Sequence, residues 1–157
     1  MSALAIIRPN DWDFPLFLHI FGATILVGGL VTAVGLQAQA WRKEEPAEVR
    51  AFSRWAFLAL LMVVLPGWVL MRVGAQWIYS KEGWGVDSDP DWLGIGFTTA
   101  DIGLPILVVS IILAGLGARQ LRSGGSSSIL SRIATPLAVF LLVMYLVTVW
   151  AMTAKPD

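Results

Sequence analysis

Residues 15–40 read PLFLHIFGATILVGGLVTAVGLQAQA, a run without a single Asp, Glu, Lys or Arg. An α-helix rises 1.5 Å per residue, so about 20 apolar residues cross a hydrocarbon core of about 30 Å. The run exceeds that length and can span with tilt or with its ends among headgroups. It also carries His19, the single histidine of the chain. An ionisable side chain inside a membrane helix marks a functional site by default.

Three more stretches repeat the pattern. With the first they give spans at about residues 15–40, 55–79, 97–121 and 133–154 of one transmembrane domain, 1–157. None shows the ten-residue alternation of a membrane barrel strand. The expected fold is all-α, a transmembrane four-helix bundle. Composition agrees, with 57% hydrophobic residues against 45–50% apolar in soluble domains. Eleven basic and eleven acidic residues cancel, so net charge offers nothing to a nucleic acid. The lack of cysteine removes disulfides, thiolate ligands and thiol nucleophiles. Residues 1–7 are apolar but short, Asp11 and Asp13 follow, and no small-residue cleavage site is evident, so the first span is expected to stay attached.

Charge sets the expected orientation. Seven of the eleven basic residues (Arg42, Lys43, Arg50, Arg54, Arg119, Arg122, Arg132) flank the connections between spans 1–2 and 3–4. Basic loops remain cytoplasmic, which puts both termini and the middle loop on the extracytoplasmic side of the plasma (inner) membrane. Trp12, Trp77, Tyr79, Trp84, Trp92 and Trp150 sit near that outer boundary and Trp41 and Trp55 near the inner one, as an interfacial belt would. Pro46 suits the first position of a helix leading into span 2, and residues 123–128 read as a flexible linker. Ser88 or Asp89 suits a cap for a short interfacial turn with Pro90 first. Asp87, Asp89 and Asp91 match the opening of a calcium loop, but Trp92 stands where glycine should follow and the closing Glu is missing.

Three spans each carry one ionisable group: His19, Arg72 and Asp101. By helical rise they lie about 6, 9–10 and 6–8 Å inside the outer ends of their spans. Lone charges in lipid are costly and find partners. An Arg72–Asp101 ion pair is therefore expected, with His19 within reach, forming a buried cluster. Trp68, Arg72 and Gln76 share a stripe of span 2, where Trp68 can stack on the guanidinium. Thr98, Asp101 and Pro105 share one on span 3, and Tyr145, Thr148 and Met152 one on span 4. Pro66 and Pro105 free the carbonyls of Met62 and Asp101. On span 1, Ala23, Leu26, Leu30, Ala33 and Gln37 continue the face of His19, flanked by Gly22 and Gly29, which permit close helix approach. The same pair would also serve as a purely structural staple between helices, or Arg72 would snorkel to a lipid phosphate.

Neutral imidazole ligates haem iron, copper and zinc. One His per chain does not complete a tetrahedral zinc site. A two-fold dimer would supply a second His19 and hence a bis-histidine b-type haem. Met152 or Met71 would give a His–Met site for haem or Cu(I), although Met is also ordinary core filler. In these readings Arg72, Trp68 and Tyr145 bind or wall the cofactor, while Arg72, Asp101, Gln76 and Thr98 hold the site or relay protons. Two other classes fit the same residues: a small proton-coupled transporter with kinked helices, and an accessory subunit of a membrane complex without its own cofactor. No nucleophile–His–carboxylate pattern or catalytic acid pair points to an enzyme.

The run LHIFGATILVGG (Leu18–Gly29) resembles the first-helix signature of bacterial integral-membrane proteins related to the copper-resistance D family, with Leu-His, a small-residue step and a Gly-Gly pair in one span. The ending Met152-Thr153-Ala154-Lys155-Pro156 is similar to that of their small four-span members. The resemblance implies a four-helix membrane protein with copper or haem handling, and only His19 falls on a motif position. The expected partners are the lipid bilayer and either further copies of the chain or the subunits of a larger complex.

Overall fold

The computed structural model describes residues 12–82, 91–124 and 129–154. They form α1 (Asp13–Arg42), α2 (Pro46–Ala59), a π-turn (Leu60–Val64), α3 (Leu65–Glu82), α4 (Asp91–Arg122) and α5 (Ile129–Ala154). The segments from α2 through α3 make one continuous rod. Four stretches are therefore long and apolar enough to cross a membrane: Asp13–Arg42, Pro46–Lys81, Asp91–Arg122 and Ile129–Ala154. The expected four-helix membrane bundle is what the chain builds. The middle-loop readings at residues 83–90, including the interfacial turn and most of the acidic run, lie outside the described residues.

Sequence explains the ends of the rods. Asp13 and Asp91 open α1 and α4, and Arg42, Arg119 and Arg122 close them, each charge opposing the macrodipole terminus beside it. Pro46 occupies the first turn of α2, where a missing N–H costs nothing. The helix thus starts earlier than the span expected from residue 55, because α2 carries its charged first turns beyond the apolar stretch. Lys43 turns back to Glu48 at 3.1 Å and tightens the short connection. At the far end of α4, Ser123 N–H donates to the carbonyls of Arg119 and Gln120. Gly124 follows with φ of 98°, the left-handed stop that glycine takes without a Cβ penalty.

The π-turn has a local cause. Leu65 N–H donates to Leu60 O, five residues back. Pro66 follows directly; its ring has no N–H and would crowd the carbonyl of Met62 in a regular helix. The wider turn relieves that crowding. Pro105 and Pro136 sit inside α4 and α5 without interrupting them.

Around the bundle, α1 packs on the α2–α3 rod and on α5, α4 packs on α5 and α2, and the contact of α3 with α4 is slight. Leu26, Leu30, Leu60, Leu107, Leu121 and Leu141 are sealed in the interior. The surface is as apolar as the core: Phe14, Phe17, Val31, Ile112, Val143 and Trp150 are all exposed. Only 22–33% of the most apolar window of each span is buried. Water would penalise such a surface, whereas a bilayer solvates it. Hydroxyls of Thr24, Thr32, Ser110, Thr135 and Thr153 donate to the carbonyl four residues back, which satisfies them on a helix in lipid.

Candidate functional site

The polar residues singled out by the sequence lie in the half of the bundle that holds the start of α1 and the end of α5, on two different seams. The first seam joins α1 to α3. Glycines replace side chains there. A Cβ on Gly22 would overlap the backbone of Met71, one on Gly67 would meet Leu26 N at 2.7 Å, and one on Gly74 would meet Pro15 O at 2.7 Å and the His19 backbone. With the backbones this close, the imidazole of His19 reaches across the seam. Its Nδ1 lies 2.9 Å from Met71 O. A carbonyl only accepts, so Nδ1 carries a proton in this contact.

The second seam joins α3 to α4 and is made of side chains. Arg72 Nη2 donates to Asp101 Oδ1 at 2.9 Å, the ion pair expected from the sequence. The guanidinium also lies 4.7 Å from the centroid of the Phe97 ring, and Tyr79 meets the same ring edge-on at 5.2 Å. Trp68 Nε1 donates to Ala100 O at 3.2 Å. Trp68 therefore does not stack on Arg72 as the shared stripe suggested. Its indole is committed to the α4 backbone, and Phe97, four residues before Asp101, takes the cation instead.

Of the expected buried His–Arg–Asp cluster, the structure shows the Arg72–Asp101 pair. The Asp101 side chain is 61% exposed and that of Arg72 24%, because α3 and α4 stand apart at this level. Among the described residues the polar contact of His19 is to the Met71 carbonyl, and no hydrogen bond or ion pair joins it to Arg72 or Asp101. Gln76 and Thr98 are exposed and join neither group.

Tyr145 on α5 is buried, with its hydroxyl against Gly103. The Trp68 indole lies close by, but its N–H is already given to Ala100, and the Tyr145 hydroxyl has no partner of good geometry. Arg72 Nη1 is likewise buried and unpaired. Thr148 completes this level by donating to Thr99 at 2.9 Å. Met152 sends its methyl end over Gly96 on α4, a packing contact.

As a ligand set, the described residues hold no group of three or more His, Cys, Asp or Glu side chains. A metal cage within one chain is therefore not built by these residues. They do offer one imidazole: His19 is half-buried, with Nδ1 on a carbonyl and no hydrogen-bond partner for Nε2 among the described residues. The α1–α3 seam itself is closed by its glycines, so a bulky group fits beside these helices and not between them.

Sequence reasoning missed Phe97, Gly74 and the Thr99–Thr148 contact. Phe97 was detectable, since Phe97 and Asp101 are one turn apart on α4. Gly74 offered no signal, because which glycine faces a backbone depends on helix register. No family model, curated protein or solved structure compared with the chain matches it.

Proposed function

We propose that this integral membrane protein is redox- or metal-linked, with His19 ligating a b-type haem or copper in an oligomer or larger complex. The observation that supports this reading is the hydrogen bond from His19 Nδ1 to Met71 O. Such a bond to a carbonyl is the common device that orients a ligating imidazole and raises its basicity. When bound, haem or copper would supply one-electron transfer. The chain's own part is to aim Nε2 and to hold the proton at Nδ1, while Arg72 on the neighbouring seam stays paired with Asp101. A second copy, or another subunit, would supply a further ligand. This polar half would face the extracytoplasmic side of the plasma (inner) membrane, a reading that the basic connections support.

The test is an absorption spectrum and elemental analysis of protein purified after growth with haem precursor and copper. A Soret band or stoichiometric copper that His19→Ala abolishes is the expected result. Colourless, metal-free protein from that growth sinks the proposal.

One observation favours a second reading, an accessory subunit without its own cofactor. Asp101 is mostly exposed on an apolar rod, and a carboxylate at lipid depth calls for cover. In that case Asp101→Leu separates the protein from a stoichiometric partner in mild detergent while leaving the monomer folded.

A further inference from the structure

At the opposite, basic end of the bundle, the last turn of α1 and the first turn of α5 enclose an open groove of about 240 Å³ lined by Trp41 and Arg132. A second groove of about 380 Å³ runs along the other side of α5, lined by Leu116, Arg119, Gln120, Ser123 and Leu130. Each pairs apolar surface with one arginine. Among the described residues neither the Arg132 nor the Arg119 side chain makes an ion pair or hydrogen bond. The acids at this end are Glu44, Glu45 and Glu48. They lie on the α1–α2 connection or the first turn of α2, Glu48 is held by Lys43, and none lines either groove. Trp41 is 55% exposed and the neighbouring Ile129 72%, so the rim beside the arginine is apolar. One turn before Trp41 on the same face, Gln37 is buried with its Oε1 unpartnered.

We propose that the Trp41–Arg132 groove binds the headgroup of an anionic phospholipid. The Arg132 guanidinium takes the phosphodiester through paired N–H donors. The Trp41 indole sits at headgroup level, as interfacial tryptophans do, and the acyl chains run along the exposed apolar flank of α5. Basic pockets between spans commonly hold anionic lipid headgroups. The charge balance selects against a zwitterionic lipid, because no carboxylate stands in the groove to meet a choline.

Thermal unfolding in a non-ionic detergent tests this with added phosphatidylglycerol, phosphatidylcholine or inorganic phosphate, read beside native mass spectrometry of lipid adducts. Phosphatidylglycerol is expected to raise the midpoint by several degrees and to leave one retained lipid, with phosphatidylcholine giving neither. Arg132→Gln should lose more than half of that shift. Arg54→Gln, which removes an exposed charge at the same end but lines neither groove, should keep it. The wild-type comparison stands even where Arg132→Gln fails to fold. Equal protection by phosphatidylcholine overturns the site. Equal loss in Arg54→Gln reduces it to diffuse charge, and a full shift from inorganic phosphate alone assigns the groove to a free anion.

Discussion

The two faces of α3 are built by opposite means. Toward α1, glycines bring backbone onto backbone, and the one long polar group present, His19, closes a hydrogen bond to a carbonyl. Toward α4, long side chains bridge a gap: Arg72 to Asp101 and Phe97, Trp68 to Ala100, Tyr79 to Phe97. In lipid no hydrophobic drive holds helices together, so close van der Waals contact supplies the first seam and polar bonds the second. The difference teaches that an ion pair in a membrane helix need not sit at the tightest contact. Here it stands where the rods diverge, and it is half exposed as a result.

The sharpest way to break this contrast is to thicken the glycine seam. Gly22→Leu and Gly74→Leu place atoms where backbone already lies and should cost more than about 3 kcal/mol, beyond the usual overpacking range. Loss of the monodisperse folded peak in detergent is the readout. If either variant unfolds at the wild-type midpoint, the backbones are not in contact.

The α3–α4 seam should respond less. Arg72→Met and Asp101→Asn, alone and combined, form a double-mutant cycle. Its coupling energy is expected near 0.5–1 kcal/mol, the range for part-exposed pairs and for polar contacts within membranes. A coupling several times larger would mean that Asp101 is covered in the folded protein.

Trp68→Phe keeps the ring and removes only the donor to Ala100. A loss of about 0.5–1 kcal/mol in the denaturant midpoint is expected. The smallest effect belongs to the glycines of α1 that face outward. A Cβ on Gly28 or Gly35 meets nothing within 4 Å, so Gly28→Ala and Gly35→Ala should stay within about 0.5 kcal/mol of wild type. Marked destabilisation there would reveal a helix packed on that face.

Much of the fold was legible. The apolar runs announced the spans, and the spacing of Leu26, Leu30, Ala33 and Gln37 announced the buried face of α1. The Arg72–Asp101 pair followed from the cost of unpaired charge. What was not legible depended on inter-helix register. The partner of His19 is a backbone carbonyl, which every residue possesses and no sequence displays. The exposure of Asp101 depends on how far α3 and α4 diverge, and pairing alone does not fix that. The π-turn was signposted only by Pro66, which equally permits a simple kink.

The three-residue connection Lys43–Glu45, braced by Lys43 and Glu48 and capped by Pro46, has a consequence for biosynthesis. Most contacts of α1 are with the rod that follows it directly, and most contacts of α4 are with α5. As the ribosome delivers the chain from its N-terminus, the first hairpin can close before the second exists. Short-range closure of this kind is kinetically favoured. Residues 1–82 and 91–157, made as separate polypeptides in one cell, should therefore each enter the bilayer as a ready-made hairpin and reassemble side by side.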